Sequence, residues 1–386
     1  METVVIIVGA GPAGLATSAC LNVLSISNIV FEKDDCSGSL WKKKSYDRLK
    51  LHLAKEYCEL PHFPYPIDTP TYISKDQFIK YMDDYEVHLN INPWYHQSIE
   101  SAWYDEIIGK WHVNAKNLVS NEMEEYVSEF LVVATGENAK GFIPNITGLH
   151  SYEGEIAHSS EYKNGGPFSD KDVLVVGCGN SGMEIAYDLA NYGAKTSIVI
   201  ENPVHVLTKE MVHLGMFLQR FLPLYLVDGL VTMLAKLRYG DLSKYGIVSP
   251  KNGPFYIKHT TNRSPVIDVG TIQAIKNGDI QVLPKILSID KRKVIFKGGK
   301  IYNFDAIIFA TGYRSTAKDW LKDDDLLNDD GMPRKPFPGH WKGTNGLYCV
   351  GFSRRALPGI SKDAQNIAKD IEMTLKLNLK TKGACG

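Results

Sequence analysis

The chain has 386 residues, 44% of them hydrophobic, which is enough to bury the cores of two or three packed units. The formal net charge is -1, so no basic field indicates nucleic-acid binding. The six cysteines show no C-x-x-C spacing, which argues against a disulfide framework, a zinc site and a redox cysteine pair; they are Cys20, Cys36, Cys58, Cys178, Cys349 and Cys385.

The chain begins with the pattern of a dinucleotide-binding unit. Val4 to Val8 is a β-branched apolar run typical of a buried parallel strand, and Leu15 to Leu24 is predicted to be a helix. Between them lies a G-x-G-x-x-G turn, whose glycines permit the tight turn, the approach of a pyrophosphate and close helix packing. The turn consists of Gly9, Ala10, Gly11, Pro12, Ala13 and Gly14.

A second strand, Ile29 to Phe31, ends at Glu32, which lies 23 residues after Gly9. A carboxylate at this distance is where a ribose hydroxyl is bound in such units. Glu32 and its neighbour Lys33 are therefore candidate cofactor contacts.

A β-rich excursion is predicted from Ser98 to Val132, with alternation of apolar and polar residues around Trp111. It leads into a buried strand from Phe130 that ends in a small-residue turn. Thr135 and Gly136 in this turn are candidate cofactor contacts.

The dinucleotide pattern occurs a second time. Val173 to Val176 is the predicted strand, Met183 to Tyr192 the helix and Thr196 to Ile200 the next strand. The second glycine turn, in which every residue is a candidate contact, consists of Gly177, Cys178, Gly179, Asn180, Ser181 and Gly182. Ser181 and Asn180 can also cap the helix start.

Glu201 lies 24 residues after Gly177 and matches Glu32 in position. A carboxylate there would accept from a ribose hydroxyl, as for NAD, whereas NADP usually requires a cation for its 2′-phosphate. Alternatively, Glu201 points to solvent and a cation, Lys209 or His205, meets the phosphate.

Residues 211–237 are rich in apolar side chains, but their longest nearly apolar stretch is far below the roughly 20 residues that span a bilayer. We expect two helices that break near Pro223. Three roles are open for these helices. They cover the active site, they dock on a membrane surface, or they serve in ordinary helical packing or as a dimer face.

The strand-and-turn pattern recurs at Ala306 to Tyr313, which contributes Thr311 and Gly312 as candidate contacts. A final strand is predicted over Gly346 to Phe352, followed by a helix from Asp363 to Leu377. The fold class is therefore α/β, with two nested Rossmann-like domains. The first comprises residues 1–150 and 313–386, and the second residues 165–310 with a helical insertion at about 209–240.

Several motifs resemble those of class B flavin monooxygenases. Tyr152-x-Gly154-x-x-x-His158-x-x-x-Tyr162 is similar to their identifying sequence, which usually begins with Phe. Across its length the chain resembles the plant YUCCA family, and the residues that carry this are Ser39 to Lys43, Tyr46 to His52, Gly177 to Glu184, Asp241 to Gly246, Pro265 to Gly270 and Gly351 to Arg355.

The resemblance implies FAD in the first domain and NADPH in the second, with NADH an alternative because of Glu201. It implies oxidative decarboxylation of indole-3-pyruvate, or a related aromatic 2-oxo acid, by O₂ to indole-3-acetate, an auxin. The oxidant would be a flavin C4a-(hydro)peroxide, which must be shielded from water.

The resemblance also suggests roles for individual residues. His52 falls where many relatives carry an Asn beside the oxygen adduct, so it is the candidate catalytic residue. Trp41 would lie beside the flavin or pack in the core, and His158 would organise the linker. Arg48 is a cation that could meet a substrate carboxylate or lie at the surface.

Two other functions stay open: N- or S-oxygenation of another small molecule, and a flavoprotein that has lost its hydride site and serves as a binding module. We expect a cytoplasmic protein without a transmembrane segment, because the first strand begins at Val4 and leaves no room for a targeting peptide. Monomer and homodimer are both compatible with the sequence, and peripheral membrane contact stays open.

Overall fold

The computed structural model describes residues 1–384, so Cys385 lies outside the described residues. The chain forms two compact units. Unit 1 comprises Met1–Lys43, Ala54–Lys140 and the chain from Tyr313 onward, and unit 2 comprises Lys44–Leu53 and Gly141–Gly312.

The strands, in chain order, are β1 (Glu2–Val8), β2 (Asn28–Phe31), β3 (Gln97–Asp105), β4 (Lys110–Asn117), β5 (Met123–Val133), β6 (Lys140–Gly141), β7 (Glu155–His158), β8 (Asp172–Val176), β9 (Lys195–Val199), β10 (Val206–Leu207), β11 (Val266–Ile267), β12 (Ile280–Leu283), β13 (Ile286–Asp290), β14 (Lys293–Phe296), β15 (Ile301–Asn303), β16 (Ala306–Phe309), β17 (Tyr313–Arg314) and β18 (Leu347–Cys349).

The α-helices are α1 (Pro12–Val23), α2 (Ser39–Lys43), α3 (Lys75–His88), α4 (Asn180–Asn191), α5 (Lys209–Leu218), α6 (Leu224–Tyr239), α7 (Pro254–Thr261), α8 (Thr271–Asn277), α9 (Ala317–Trp320) and α10 (Ala356–Ala384). Short 3₁₀ turns occur at Lys55–Tyr57, Leu149–Ser151, Gly166–Phe168 and Ser243–Tyr245.

Unit 1 is built on a mixed sheet in the order β2-β1-β5-β4-β3, with β18 also paired to β5. The strands β2, β1, β5 and β18 are parallel, so their carboxyl ends lie on one edge of the sheet. Helices α1 and α10 pack against each other. This edge carries the first glycine turn, because the turn directly follows β1.

Unit 2 contains a five-stranded parallel sheet in the order β12-β9-β8-β16-β7. Alternate residues of β8 enter two different apolar clusters, Val173 and Val175 in one, Leu174 and Val176 in the other. This is the period-two alternation expected of a strand that is covered on both faces. The predicted α/β class is confirmed by both sheets.

A helical excursion leaves unit 2 between two short strands that pair in parallel. Val206 and Leu207 of β10 lie opposite Val266 and Ile267 of β11, and the chain between them contains α5, α6 and α7. The predicted break near Pro223 is confirmed. The excursion is longer than the predicted 209–240, because α7 also packs into its core through Phe255.

The boundaries of the units differ from the sequence boundaries at residues 44–53 and 141–150, which lie in unit 2 rather than with the first domain. The cause at 44–53 is a set of side-chain contacts to α4 that have no local sequence signature. Among residues 1–384, no helix combines the length and apolar character needed to cross a membrane.

Candidate functional site

The first glycine turn is shaped by three glycines with different constraints. Gly9 has a φ of +110°, and a β-carbon there would lie 2.7 Å from the carbonyl oxygen of Ala134. A β-carbon on Gly14 would lie 1.8 Å from the oxygen of Gly9, so helix and turn are in direct contact. Gly11 faces open space, with nothing within 4 Å of its would-be β-carbon.

Gly11 is also the N-cap of α1, and no side chain caps it. The helix therefore presents uncapped N–H groups and its positive dipole end at the open side of the turn. Pro12 and Ala13 begin the helix, and Pro12 fits this place because its missing N–H would have no helical partner.

Glu32 is buried and folds back over this turn. Its carboxylate accepts hydrogen bonds from the N–H of Ala10 at 2.8 Å and of Asp34 at 3.0 Å. Burial raises the pKa of Glu32, and the two N–H donors only partly offset it. Lys33, next in the chain, is exposed.

Three further predicted contacts belong to unit 1. Oγ1 of Thr135 is buried and has no hydrogen-bond partner among the described residues. Gly136 adopts a φ of +76°, which opens the turn after β5. The ring of Trp41 packs against Phe78 with centroids 4.7 Å apart, which fits the core-packing alternative.

The sequence analysis placed the segment after β18 in a family motif but did not make it a candidate cofactor contact. Val350 donates to the oxygen of Val133 at 3.0 Å, so residues 350–353 emerge beside the Thr135 turn. Gly351 has a φ of +83°, and a β-carbon there would lie 3.1 Å from that of Ala13. The available signal was a strand followed by glycine, the same signal as at β1.

The second glycine turn reproduces the first. Gly177 has a φ of +110°, a β-carbon on Gly182 would lie 1.9 Å from the oxygen of Gly177, and Gly179 faces open space as an uncapped N-cap. The side chain of Asn180 is used structurally, because its Oδ1 accepts from the N–H of Ile267 at 2.8 Å. Burial raises the pKa of the Cys178 thiol.

The residue after the second strand differs between the two units. In unit 1 Val8 pairs with Phe31, and Glu32 follows Phe31. In unit 2 Val176 pairs with Val199, so the register equivalent of Glu32 is Ile200, which is buried. Glu201 is one residue further.

Glu201 is exposed, and its Oε1 accepts from Nζ of Lys285 at 2.7 Å. Lys285 follows β12, the neighbour of β9 in the sheet, so the ion pair lies at the carboxyl edge of these two strands. The positional match between Glu201 and Glu32 is therefore wrong by one residue, and side-chain alternation turns Glu201 outward.

Three residues of the identifying motif make hydrogen bonds within unit 2. The hydroxyl of Tyr152 donates to Phe304 O at 3.0 Å, and that of Tyr162 donates to Asp188 at 2.7 Å. Nδ1 of His158 accepts from Ser160, so its Nε2–H donates to Gly312 O at 3.0 Å. Burial lowers the pKa of His158, which fits a neutral, structural imidazole.

The turn after β16 takes part in the same network. The hydroxyl of Thr311 donates to the carbonyl oxygen of Phe142, and the carbonyl oxygen of Gly312 accepts from the N–H of Phe142 at 2.9 Å. Gly312 has a φ of +86°. These contacts hold the end of β16 to Phe142, at the start of the Gly141–Gly312 segment of unit 2.

Residues 44–53 are attached to α4. Nε2 of His52 lies 3.1 Å from Oε1 of the buried Glu184, and the Arg48 guanidinium lies 3.6 Å from Asp188. Arg48 also lies over the ring of Tyr187. Burial, and then the Glu184 carboxylate, raise the pKa of Tyr46 well above its ordinary value. The catalytic role of His52 stays a prediction.

These features can be compared with known proteins. Residues 2–327 match the family described as FMO-like, flavin-binding monooxygenase-like. The probable indole-3-pyruvate monooxygenase YUCCA10 of Arabidopsis thaliana is 54% identical over 377 residues, 97% of this chain and 98% of the relative. The chain belongs to the YUCCA group of flavin-binding monooxygenases.

A second relative agrees with this membership, and a solved structure agrees with the fold. The indole-3-pyruvate monooxygenase YUCCA6 of Arabidopsis thaliana is 45% identical and is covered to 92% by 98% of this chain. A flavin-containing monooxygenase from Stenotrophomonas maltophilia has the same fold, with a TM-score of 0.73 at 17% identity over 97% of this chain and 99% of that one. The YUCCA resemblance, the fold class and the enzyme class are thus confirmed: the protein is a flavin-dependent monooxygenase.

Proposed function

We propose that this YUCCA-group protein converts indole-3-pyruvate, NADPH, O₂ and a proton to indole-3-acetate, CO₂, NADP⁺ and water. One oxygen atom of O₂ enters the acetate product, the other leaves as water, and the bond that breaks joins the carboxyl carbon to the 2-oxo carbon. The substrate is inferred from the relatives, which are named as indole-3-pyruvate monooxygenases.

The cofactor assignment rests on the difference between Glu32 and Ile200. A buried carboxylate such as Glu32 suits the ribose hydroxyl of FAD, and would repel a 2′-phosphate. Unit 2 has an apolar residue at the same register and a lysine, Lys285, at the adjacent strand end. We therefore assign FAD to unit 1 and NADPH to unit 2.

The residues of unit 1 fit FAD. The open side of Gly11 and the uncapped start of α1 suit a pyrophosphate, which needs N–H donors and no β-carbon in its way. The buried hydroxyl of Thr135 has no hydrogen-bond partner within residues 1–384, as expected of a group that binds a ligand. When bound, the flavin supplies the electron transfer to O₂ that side chains cannot perform.

The residues of unit 2 fit a dinucleotide in the same way, through Gly179 and the start of α4. The carboxylate of Glu201 is neutralised by Lys285, so it no longer argues for NADH. We infer that Lys285 contacts the 2′-phosphate and that NADPH is the preferred donor.

The side chains of this chain contribute binding and position. Asn180 fixes the start of α4 to Ile267, and His158 fixes the turn at Gly312. We propose that His52, oriented by Glu184, acts on a proton of the reacting oxygen. The reducing cytoplasm is the proposed location, since the five cysteines in residues 1–384 are all thiols.

The test is a turnover assay with the purified holoprotein. Indole-3-pyruvate should give CO₂ and indole-3-acetate in step with NADPH consumption. A second variant, Gly179→Ala, should retain its flavin and lose the reduction of that flavin by NADPH. Oxygenated product with an intact carbon skeleton, or no CO₂ from any aromatic 2-oxo acid, would overturn the proposal.

A further inference from the structure

Helix α6 is apolar on two opposite sides. Val227 and Val231 are buried in the core of the helical excursion, as expected of the inner side of a helix. On the other side Tyr225, Met233 and Leu237 are exposed, Tyr225 to 73% and Leu237 to 76%. A helix that is apolar all round is normally covered on both sides.

Helix α5 and the turn to α6 extend this surface. Phe221 in the turn is 70% exposed, and its ring lies 5.4 Å from that of Phe217. We call the exposed apolar side chains of α5, α6 and the turn between them the apolar face; its members are Leu214, Phe217, Phe221, Leu222, Tyr225, Leu226, Met233 and Leu237. A cluster of this size is typical of an interaction site, unlike single exposed apolar residues.

The apolar face is held on a rigid base. The carboxylate of Asp228 accepts from the N–H groups of Phe255 and Tyr256 at 2.8 and 3.0 Å, which caps α7 and locks it to α6. A β-carbon on Gly215 would lie 2.3 Å from the ring of Phe255, so α5 and α7 also meet closely. The exposed side chains are therefore presented by a packed structure.

The excursion is basic within a chain that is nearly neutral. Residues 205–265 contain eight lysines and arginines against three acids, one of which, Asp228, is buried, whereas the whole chain has a net charge of -1. Lys236 and Arg238 are exposed in the last turn of α6, on either side of Leu237 in the sequence. An exposed apolar surface on a segment of net positive charge matches an anionic phospholipid surface.

We propose that the apolar face docks on the surface of a membrane that contains anionic phospholipids. Phe221 and Tyr225 enter the headgroup region, and the surrounding cations contact lipid phosphates. A second copy of the chain fits less well, because a two-fold interface would bring two excursions of net positive charge together. None of the described helices spans a bilayer, so the attachment is peripheral.

Flotation of the FAD-loaded protein with vesicles provides the test. We expect binding to phosphatidylcholine vesicles that contain phosphatidylserine, and at least about tenfold weaker binding without it. Added salt should release the protein, because it screens the cations. This measurement needs no variant and stands even if a variant fails to fold.

Two double variants separate the apolar and ionic parts. Phe221→Asp with Tyr225→Asp, and Lys236→Glu with Arg238→Glu, should each weaken binding by about tenfold or more. The matched control is Ile107→Asp, at a side chain 94% exposed in unit 1, which should bind normally. Binding unchanged in both double variants would overturn the proposal. So would self-association that Phe221→Asp abolishes, since that assigns the face to a second copy.

Discussion

Nε2 of His52 lies 3.1 Å from Oε1 of Glu184, a carboxylate that is 2% exposed in the second turn of α4. The contact ties residues 44–53 to unit 2. His52→Ala would leave a buried acceptor without its donor, so we expect a loss of about 1–3 kcal/mol in the free energy of unfolding. Urea denaturation measures it.

A double-mutant cycle distinguishes this role from a catalytic one. If His52 acts only through Glu184, adding Glu184→Gln should relieve most of the loss, since the neutral amide is cheaper to leave buried. If stability is unchanged and NADPH oxidation yields hydrogen peroxide in place of product, His52 acts on the oxygen chemistry.

Lys285 is predicted to select the nicotinamide. Lys285→Ala should weaken binding of 2′,5′-ADP by about tenfold and leave 5′-AMP unaffected, because only the former carries the 2′-phosphate. Titration calorimetry follows both ligands. The opposite change is expected of Glu201→Gln, which removes the carboxylate that pairs with Lys285 and should strengthen 2′,5′-ADP binding. Equal affinity of the unmodified protein for the two ligands would contradict the assignment.

Gly11 and Gly14 should respond differently to the same added methyl group. A β-carbon on Gly14 meets the oxygen of Gly9 at 1.8 Å, so Gly14→Ala should misfold unit 1. A β-carbon on Gly11 meets nothing within 4 Å, so Gly11→Ala should fold and lose FAD. Circular dichroism and the flavin absorbance of purified protein give the comparison. An Ala at position 11 that retains FAD would argue against pyrophosphate binding there.

FAD retention should depend on pH through Glu32. Its pKa is raised above the 4.5 of an ordinary glutamate by burial, and the ribose contact favours the ionised form. FAD affinity should therefore fall as the pH falls through this raised pKa. In the apoprotein, protonated Glu32 contributes stability that is fully present below pH 4.5. This contribution is lost as the pH rises through the raised pKa of the folded state. Glu32→Gln should abolish both effects, with FAD binding followed by flavin fluorescence and apoprotein stability by urea denaturation.

His158 should make stability rise with pH. Burial lowers its pKa below 6.5, despite the opposing effects of the Gly312 carbonyl and of Glu161. The neutral imidazole stabilises unit 2 above pH 6.5. This contribution is lost as the pH falls through the folded-state pKa of His158. Comparing unfolding of the parent and of His158→Gln across this range checks it. Parallel pH profiles would show that His158 titrates as in the unfolded chain.

Local patterns in the sequence were sufficient for the repeating elements. Both glycine turns, the strands before them and the break near Pro223 follow from spacing, because hydrogen bonding and steric demands within a few residues dictate them. The match of Glu201 to Glu32 overlooked a difference of one residue, since Glu201 lies 24 residues after its first glycine and Glu32 lies 23 after its own. A shift of one residue along a strand reverses the direction of the side chain, and the strand register makes Ile200 the equivalent. Strand pairing, which is non-local, decides which residue is equivalent.

The sequence by itself determined the class of this protein. It predicted the two glycine turns of the dinucleotide-binding units and the YUCCA membership that the relatives confirmed. Only the tertiary structure decided that residues 44–53 belong with unit 2, that Glu201 pairs with Lys285, and that the side chains around Phe221 are exposed within residues 1–384. The reason is physical. Turns and strands are encoded by neighbours in the chain, whereas a buried pair such as His52 and Glu184 joins residues 132 positions apart and exists only once the chain has folded.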